Sequence, residues 1–235
     1  MKRHAVFLDR DGVINRVVLR DGRPFPPSNL AGLRILPGVR EACRSLREAG
    51  FLLILATNQP DIARRKADAL EVAAIHEHLR RYLGLDGVKM CPHDDASGCG
   101  CRKPKPGLLL EAARDWGIDL AASYFVGDRW RDVEAGQRAG CRAMFIDYHY
   151  RERRPEGAFI AVQSLRDAAL RIVGEIGRTK KEPEALTETG AVFEETHRAH
   201  AALGKVENSP QSGRDRLRRV PGRSAQVPEE TPCHV

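Results

Sequence analysis

Short apolar runs alternate with longer amphipathic stretches along most of this chain. "AVFLD", "FLLILATN", "VKMC", "SYFVGD" and "CRAMFID" are brief and dominated by branched or aromatic residues, the pattern of strands buried on both faces. Between them apolar residues recur at helical spacing. Val39, Cys43 and Leu46 precede Gly50; Val72, Ile75, Leu79 and Leu83 precede Gly84; Leu109, Ala113 and Trp116 precede Gly117; and "RDVEAGQRAG" closes on Gly140. Glycine just past the last periodic residue is a common helix stop. Strand and helix in alternation predict an α/β fold: a Rossmann-like parallel sheet with helices on both faces and right-handed crossovers. A last apolar pair, "AFIAVQSL" and "RDAALRIVGEI", completes this domain, placed at residues 1–175. Residues 176–235 are polar and rich in Pro, Gly and charge, which predicts a disordered C-terminal extension. A weak helix at "AVFEETHRAHAAL" is its one candidate element.

In parallel sheets the ligand crevice lies off the carboxyl ends of the strands. Three of the apolar runs end there in polar groups, "LDRD", "ATNQ" and "VGDR". On an extended strand residues i and i+2 share a side, so Asp9 and Asp11 are expected to face one small volume while Arg10 points away. Gly12 then permits a tight turn and close approach by a ligand. Two such carboxylates divide labour, one attacking as nucleophile and the other moving protons. Attack on a phosphate dianion requires its charge to be screened, which calls for Mg²⁺ and nearby donors.

A second constellation is "CPHDDASGCGCRKP". Cys91, His93, Cys99 and Cys101 supply three thiolates and an imidazole, the ligand set of a closed structural zinc site with no open position for catalysis. Arg102 and Lys103 follow directly, so fixing this loop fixes two cations.

Charge narrows the ligand. The net charge is +7, with 29 Lys and Arg against 23 Asp and Glu in residues 1–175 and 10 against 9 in the remainder. Excess positive charge on the folded portion suits a phosphate ester or a nucleic acid. The basic "RDRLRRVPGR" near the C-terminus has no interleaved aromatic residues and reads as a solvated tail, so nucleic acid is not expected as partner. No apolar run approaches the roughly 18 residues of a membrane span. The start "MKRHAVFLDRDG" is interrupted by acids and reads as a strand rather than a signal peptide. Six cysteines, three of them within residues 91–101, then point to a metal site in the reducing cytoplasm rather than a disulfide framework. His76 and His78 are expected to be solvated or to pack, and Cys43 to be a small core residue.

Taken in order, "DRDGVIN", "TNQ" at 57–59, "RKPKPG" at 102–107 and "VGDRWRD" at 126–132 resemble the four motifs of the haloacid dehalogenase-like phosphohydrolases, over residues 4–147. The resemblance implies that Asp9 is the nucleophile forming an aspartyl-phosphate. Asp11 would protonate the leaving alkoxide and then activate water. Thr57, Asn58 and Gln59 would face the phosphoryl group, and Lys103 would neutralise it. Mg²⁺ would lie on Asp9, the Asp11 carbonyl and Asp128. Asp132 would hold a metal-bound water, steady Lys103, or stand as a solvated helix-start acid. With its zinc loop, the chain is similar to the branch holding heptose 1,7-bisphosphate 7-phosphatases and histidinol-phosphate phosphatases, which lacks a large cap domain. That branch implies Arg102 and Arg129 as substrate contacts. The expected partner is a small phosphorylated sugar or similar metabolite, met by a monomer. Two stretches depart from the branch. "TNQPD" stands where Thr-Asn-Gln-Ser-Gly is common, so Pro60 removes a donor and stiffens the loop. "RVVLRDGRPFPPSN" is longer than its counterpart. Both border the leaving group, so the resemblance leaves the sugar open.

Overall fold

A computed structural model describes residues 2–179. Chain order is β1 (Ala5–Leu8), β2 (Val18–Arg20), β3 (Arg23–Phe25), α1 (Val39–Glu48), β4 (Leu52–Asn58), α2 (Ala69–Leu83) and β5 (Gly87–Cys91). Then follow α3 (Gly107–Trp116), β6 (Tyr124–Gly127), α4 (Trp130–Ala139), β7 (Arg142–Ile146), β8 (Ile160–Val162) and α5 (Leu165–Thr179). Six strands form a parallel sheet in the order β5-β4-β1-β6-β7-β8. This is the expected Rossmann-like architecture with helices on both faces. Helix α5 runs across the boundary placed at 175. The rest of the expected extension, with "AVFEETHRAHAAL" and "RDRLRRVPGR", lies outside the described residues.

Alternation along the strands sorts side chains into two cores. Val6 and Leu8 of β1 join Leu53 and Leu55 of β4 beneath α1, α2 and α5. Ala5 and Phe7 join Ile54 and Ala56 beneath α3 and α4. Because both faces are covered, β1 and most of β4 are wholly buried, as apolar runs without alternating polar positions require. Cys43 is fully buried in the first core, as expected. No helix among the described residues is long and apolar enough to cross a membrane.

The chain builds outward from β1 to β4 and β5, then returns to place β6 on the other side of β1. This reversal is the switch point at which open α/β sheets carry their ligands. The carboxyl ends of β1, β4 and β6 therefore meet there, bringing together Asp9, Thr57 and Asp128.

One element was not expected from apolar periodicity. Strands β2 and β3 pair antiparallel, with Arg20 opposite Arg23. The connecting Asp21 and Gly22 have φ of 51° and 72°, the double positive φ that a two-residue I′ hairpin demands. The strands escape an apolar-run reading because Val18 and Leu19 are 51% and 59% exposed. The legible signal was the Asp-Gly dipeptide.

Candidate active site

The first loop turns immediately after β1. Asp9 N–H donates to the Val126 carbonyl at 3.0 Å, extending the β1–β6 pairing by one residue, and Ile14 N–H closes back on the Arg10 carbonyl at 2.9 Å. Gly12 sits at φ 87°, and a Cβ there would lie 1.8 Å from Asp128 Oδ2. No other residue fits without displacing that carboxylate.

Charge concentrates below this turn. Lys103, 2% exposed, places Nζ 2.8 Å from Asp9 Oδ1, 2.7 Å from Asp132 Oδ1 and 2.8 Å from the Ala56 carbonyl. Asp9, Asp128 and Asp132 each bring a carboxylate oxygen within 4.8 Å of the others, and all three are buried. One lysine cannot balance three acids. Burial, with Asp132 and Asp11 beside it, pushes the Asp9 carboxyl up to about 6 against the pull of Lys103. Burial and the charges of Asp9 and Asp132 push Asp128 well above its ordinary value. Asp128 Oδ1 has no hydrogen-bond partner among the described residues, while Oδ2 accepts from the Tyr150 hydroxyl at 2.8 Å. A buried cluster with more acids than cations and an orphaned Asp128 oxygen is short of positive charge. Divalent metal ions that take oxygen ligands suit it.

Asp132 proves to be neither solvated nor idle. It is 2% exposed, and while Oδ1 holds Lys103, Oδ2 accepts the Arg129 N–H at the start of α4 at 3.0 Å. Lys103 stays protonated: burial opposes its charge, but Asp132 and Asp9 outweigh burial and raise the ammonium above its usual range.

Arg10 corrects an expectation. It does not point away from the acids. The backbone leaves the strand at Leu8, so the i, i+2 rule no longer applies, and Arg10 folds back fully buried. Its NH2 lies 2.9 Å from Asp11 Oδ2 and donates to Gln59 Oε1 at 2.9 Å. Its NH1 meets His76 Nε2 at 3.1 Å. His76 is therefore no bystander; burial and Arg10 lower it to about 3, so it is a neutral acceptor. Burial alone would raise Asp11. Arg10, with hydrogen bonds from Asn15, Arg10 and Gln59, outweighs it and lowers the carboxyl. Nothing in helical periodicity separates His76 from an ordinary packed histidine, and His78 does stack on Tyr82 at the surface.

The β4 end supplies the next side chains. Asn58 exchanges two hydrogen bonds of 3.1 Å with the Lys103 backbone, tying this strand to the lysine loop. Gln59 donates to Thr57 Oγ1 at 2.9 Å and to Asp11 Oδ2 at 3.1 Å. A cavity of about 370 Å³ opens above, lined by Asp9, Asp11, Asn58, Gln59, Lys103 and Asp132 on its inner side. Thr57 and Asp128 are not among its lining residues. Arg23, Phe25, Asp61, Arg64, Asp95, Arg102, Arg129 and Arg131 are among the residues of its outer wall. Three of these arginines converge on half-exposed Asp95: Arg102 Nε at 2.9 Å, Arg131 at 3.2 Å and Arg64 at 3.8 Å. Arg129 pairs with Glu152 at 2.7 Å. Arg23 and Phe25 come from the hairpin and were not anticipated.

The cysteine loop closes on itself. Cys91 and Cys99 Sγ are 3.7 Å apart, Cys99 and Cys101 Sγ 3.5 Å, and His93 Nδ1 lies 3.6 and 3.4 Å from Cys91 and Cys101. Thiolates about 2.3 Å from one tetrahedral zinc stand about 3.8 Å apart, so the four donors fit that ion. Hydrogen bonding from Cys101, with His93 and Cys99, brings the Cys91 thiol down to about 5. Arg102 NH1 donates to the His93 carbonyl at 3.2 Å, tying loop to cavity.

The family model for haloacid dehalogenase-like hydrolases matches residues 28–140. The D-glycero-β-D-manno-heptose-1,7-bisphosphate 7-phosphatase of Bordetella bronchiseptica is 40% identical over 146 residues, 60% of this chain and 79% of that one. The D-glycero-D-manno-heptose-1,7-bisphosphate 7-phosphatase of Thermosynechococcus vestitus is 36% identical over 175 residues, covering 68% and 86%. The crystal structure of the B. bronchiseptica D,D-heptose 1,7-bisphosphate phosphatase, complexed with magnesium and phosphate, superposes with a TM-score of 0.64. It is 33% identical there and covers 73% of this chain and 99% of that one. The chain belongs to the haloacid dehalogenase-like hydrolases. Within them it is a phosphomonoester hydrolase.

Proposed function

We propose that the protein is a Mg²⁺-dependent phosphatase that works through an aspartyl-phosphate on Asp9 and removes the 7-phosphate of D-glycero-D-manno-heptose 1,7-bisphosphate. The observation that carries the reading is the buried Asp9–Lys103–Asp132–Asp128 cluster at the strand ends, with more negative charge than its lysine balances. Asp9, the Asp11 carbonyl and Asp128 would hold Mg²⁺, which when bound screens the phosphate dianion from the attacking carboxylate.

Lys103 engages Asp9 Oδ1, so the ammonium stands beside the attacking carboxylate and faces the charge that builds on the transferring group. Asp132 holds Lys103 from behind. Asp11 hands a proton to the departing alkoxide, and the ionised carboxylate left behind takes one from the water that hydrolyses the acyl phosphate. Its surroundings favour the ionised form. An arriving phosphate dianion adds like charge and raises it toward protonation. Arg10, steadied by His76 and Gln59, fixes the Asp11 carboxylate. Thr57, Asn58 and Gln59 shape the phosphoryl end, while Arg102 and Arg129 meet the substrate. Cys91, His93, Cys99 and Cys101 would hold a structural Zn²⁺ that fixes the loop carrying Arg102 and Lys103. Reduced thiols of this kind suit the cytoplasm.

Two observations favour a substrate with a second anionic group. Five arginines line the cavity beyond the acid cluster, and the relatives that match over more than two thirds of their length act, by name, on a heptose bisphosphate. Asp61 and Asp95 on the same wall favour a second reading, histidinol phosphate, whose ammonium they would meet. Phosphate release from both compounds and from monophosphorylated sugars separates the readings. Heptose bisphosphate is expected to exceed the others in kcat/KM by at least about 10-fold, the worth of one good charge-assisted contact. A preference for histidinol phosphate reverses the assignment.

A further inference from the structure

Asp128 presents two unequal oxygens. Oδ2 accepts from Tyr150 at 2.8 Å and is also covered by the backbone of Gly12, where even a Cβ would stand 1.8 Å from it and 3.1 Å from the Tyr150 hydroxyl. Oδ1 is buried with no hydrogen-bond partner among the described residues. Tyr150 is itself held, its ring stacked on Tyr148 with centroids 5.6 Å apart. A phenol is an ordinary donor at neutral pH, so the hydroxyl can hold this oxygen.

We infer that Tyr150 is a positioning residue that makes Asp128 a one-oxygen ligand and thereby biases the acid cluster toward Mg²⁺ and against Ca²⁺. Mg²⁺ demands a small octahedral shell of single oxygens, whereas Ca²⁺ takes six to eight and accepts bidentate carboxylates. A carboxylate whose second oxygen is occupied serves the first ion and starves the second. Partners of this kind, one step behind the ligands, orient them and typically change metal affinity by about 10- to 100-fold when removed. The inference rests on the cation reading above and adds to it a determinant of which cation is held.

The test is calorimetric titration of the full chain, dialysed free of Mg²⁺, with MgCl₂ and separately with CaCl₂. Tyr150→Phe keeps the ring stack and removes only the donor. It is expected to raise the Kd for Mg²⁺ about 10-fold while that for Ca²⁺ stays level or falls, so the selectivity ratio drops by at least about 10-fold. Tyr148→Phe, which leaves the donor to Asp128 in place, is expected to keep both constants within about twofold. General loosening of the site would weaken both ions alike. A Tyr150→Phe ratio within about twofold of wild type overturns the inference alone, as does an equal shift in Tyr148→Phe. Wild-type protein that takes up neither ion overturns it together with the cation reading.

Discussion

Asp9→Asn is expected to yield a folded protein whose phosphate release falls by about 10⁴-fold or more, the scale seen when an attacking group is removed and only binding and charge stabilisation remain. The amide cannot attack phosphorus, yet it occupies the carboxylate's volume. Its effect on stability should be opposite in sign. The Asp9 carboxyl is raised to about 6 from an ordinary 3.8, by burial and then by Asp132 and Asp11 against Lys103. A group raised on folding contributes fully below its unfolded value and loses that contribution as pH climbs through the folded one. Metal-free wild type therefore carries a charge penalty above pH 6 that the variant lacks. Thermal melts in chelator should place Asp9→Asn several degrees above wild type at pH 7.5, the gap closing toward pH 4. Wild-type turnover in the variant would remove Asp9 from the chemistry, and a lower melting temperature at pH 7.5 would contradict the excess of negative charge.

Lys103→Met has the largest expected effect on the fold. It leaves Asp9, Asp128 and Asp132 buried with no ammonium among them, and breaking a buried ion pair by removing one partner costs about 3–5 kcal/mol. For a domain of this size that corresponds to a melting temperature lower by about 10 °C in chelator. Added Mg²⁺ should recover part of the stability by supplying positive charge. Turnover should stay down by about 10³-fold, because the charge facing the transferring group is not replaced. Calorimetry and phosphate release on the same preparation check both halves. A variant that melts with wild type in chelator would contradict the charge balance described for the cluster.

Much of this cluster is legible in the sequence. Asp9, Thr57, Lys103 and Asp128 each stand at or beside the end of a strand or a loop with a recognisable ordered motif, and a parallel sheet brings such ends to one edge. The cysteine loop was legible for a similar reason, since its four donors lie within eleven residues and need only local folding to meet. What escaped depended on long-range packing or on where a regular element stops. Arg10 lies on the side opposite to the one strand alternation predicts, because the strand ends at Leu8. His76 meets Arg10 across 66 residues, and helical spacing reports only that such a position is buried. Tyr150 reaches Asp128 from a loop 22 residues on, with no motif around it. The hairpin carrying Arg23 and Phe25 was announced by Asp21-Gly22, a turn signal that apolar periodicity does not register.

The covalent step is open to direct observation. Acid quench of the full chain during turnover of a substrate carrying a radiolabelled phosphoryl group, followed by tryptic peptide mapping, should find label on one peptide, His4–Arg10, at Asp9. The label should disappear when Mg²⁺ is withheld and be absent from Asp9→Asn. Label on any other residue, or steady phosphate release with no labelled protein at any quench time, would contradict the account.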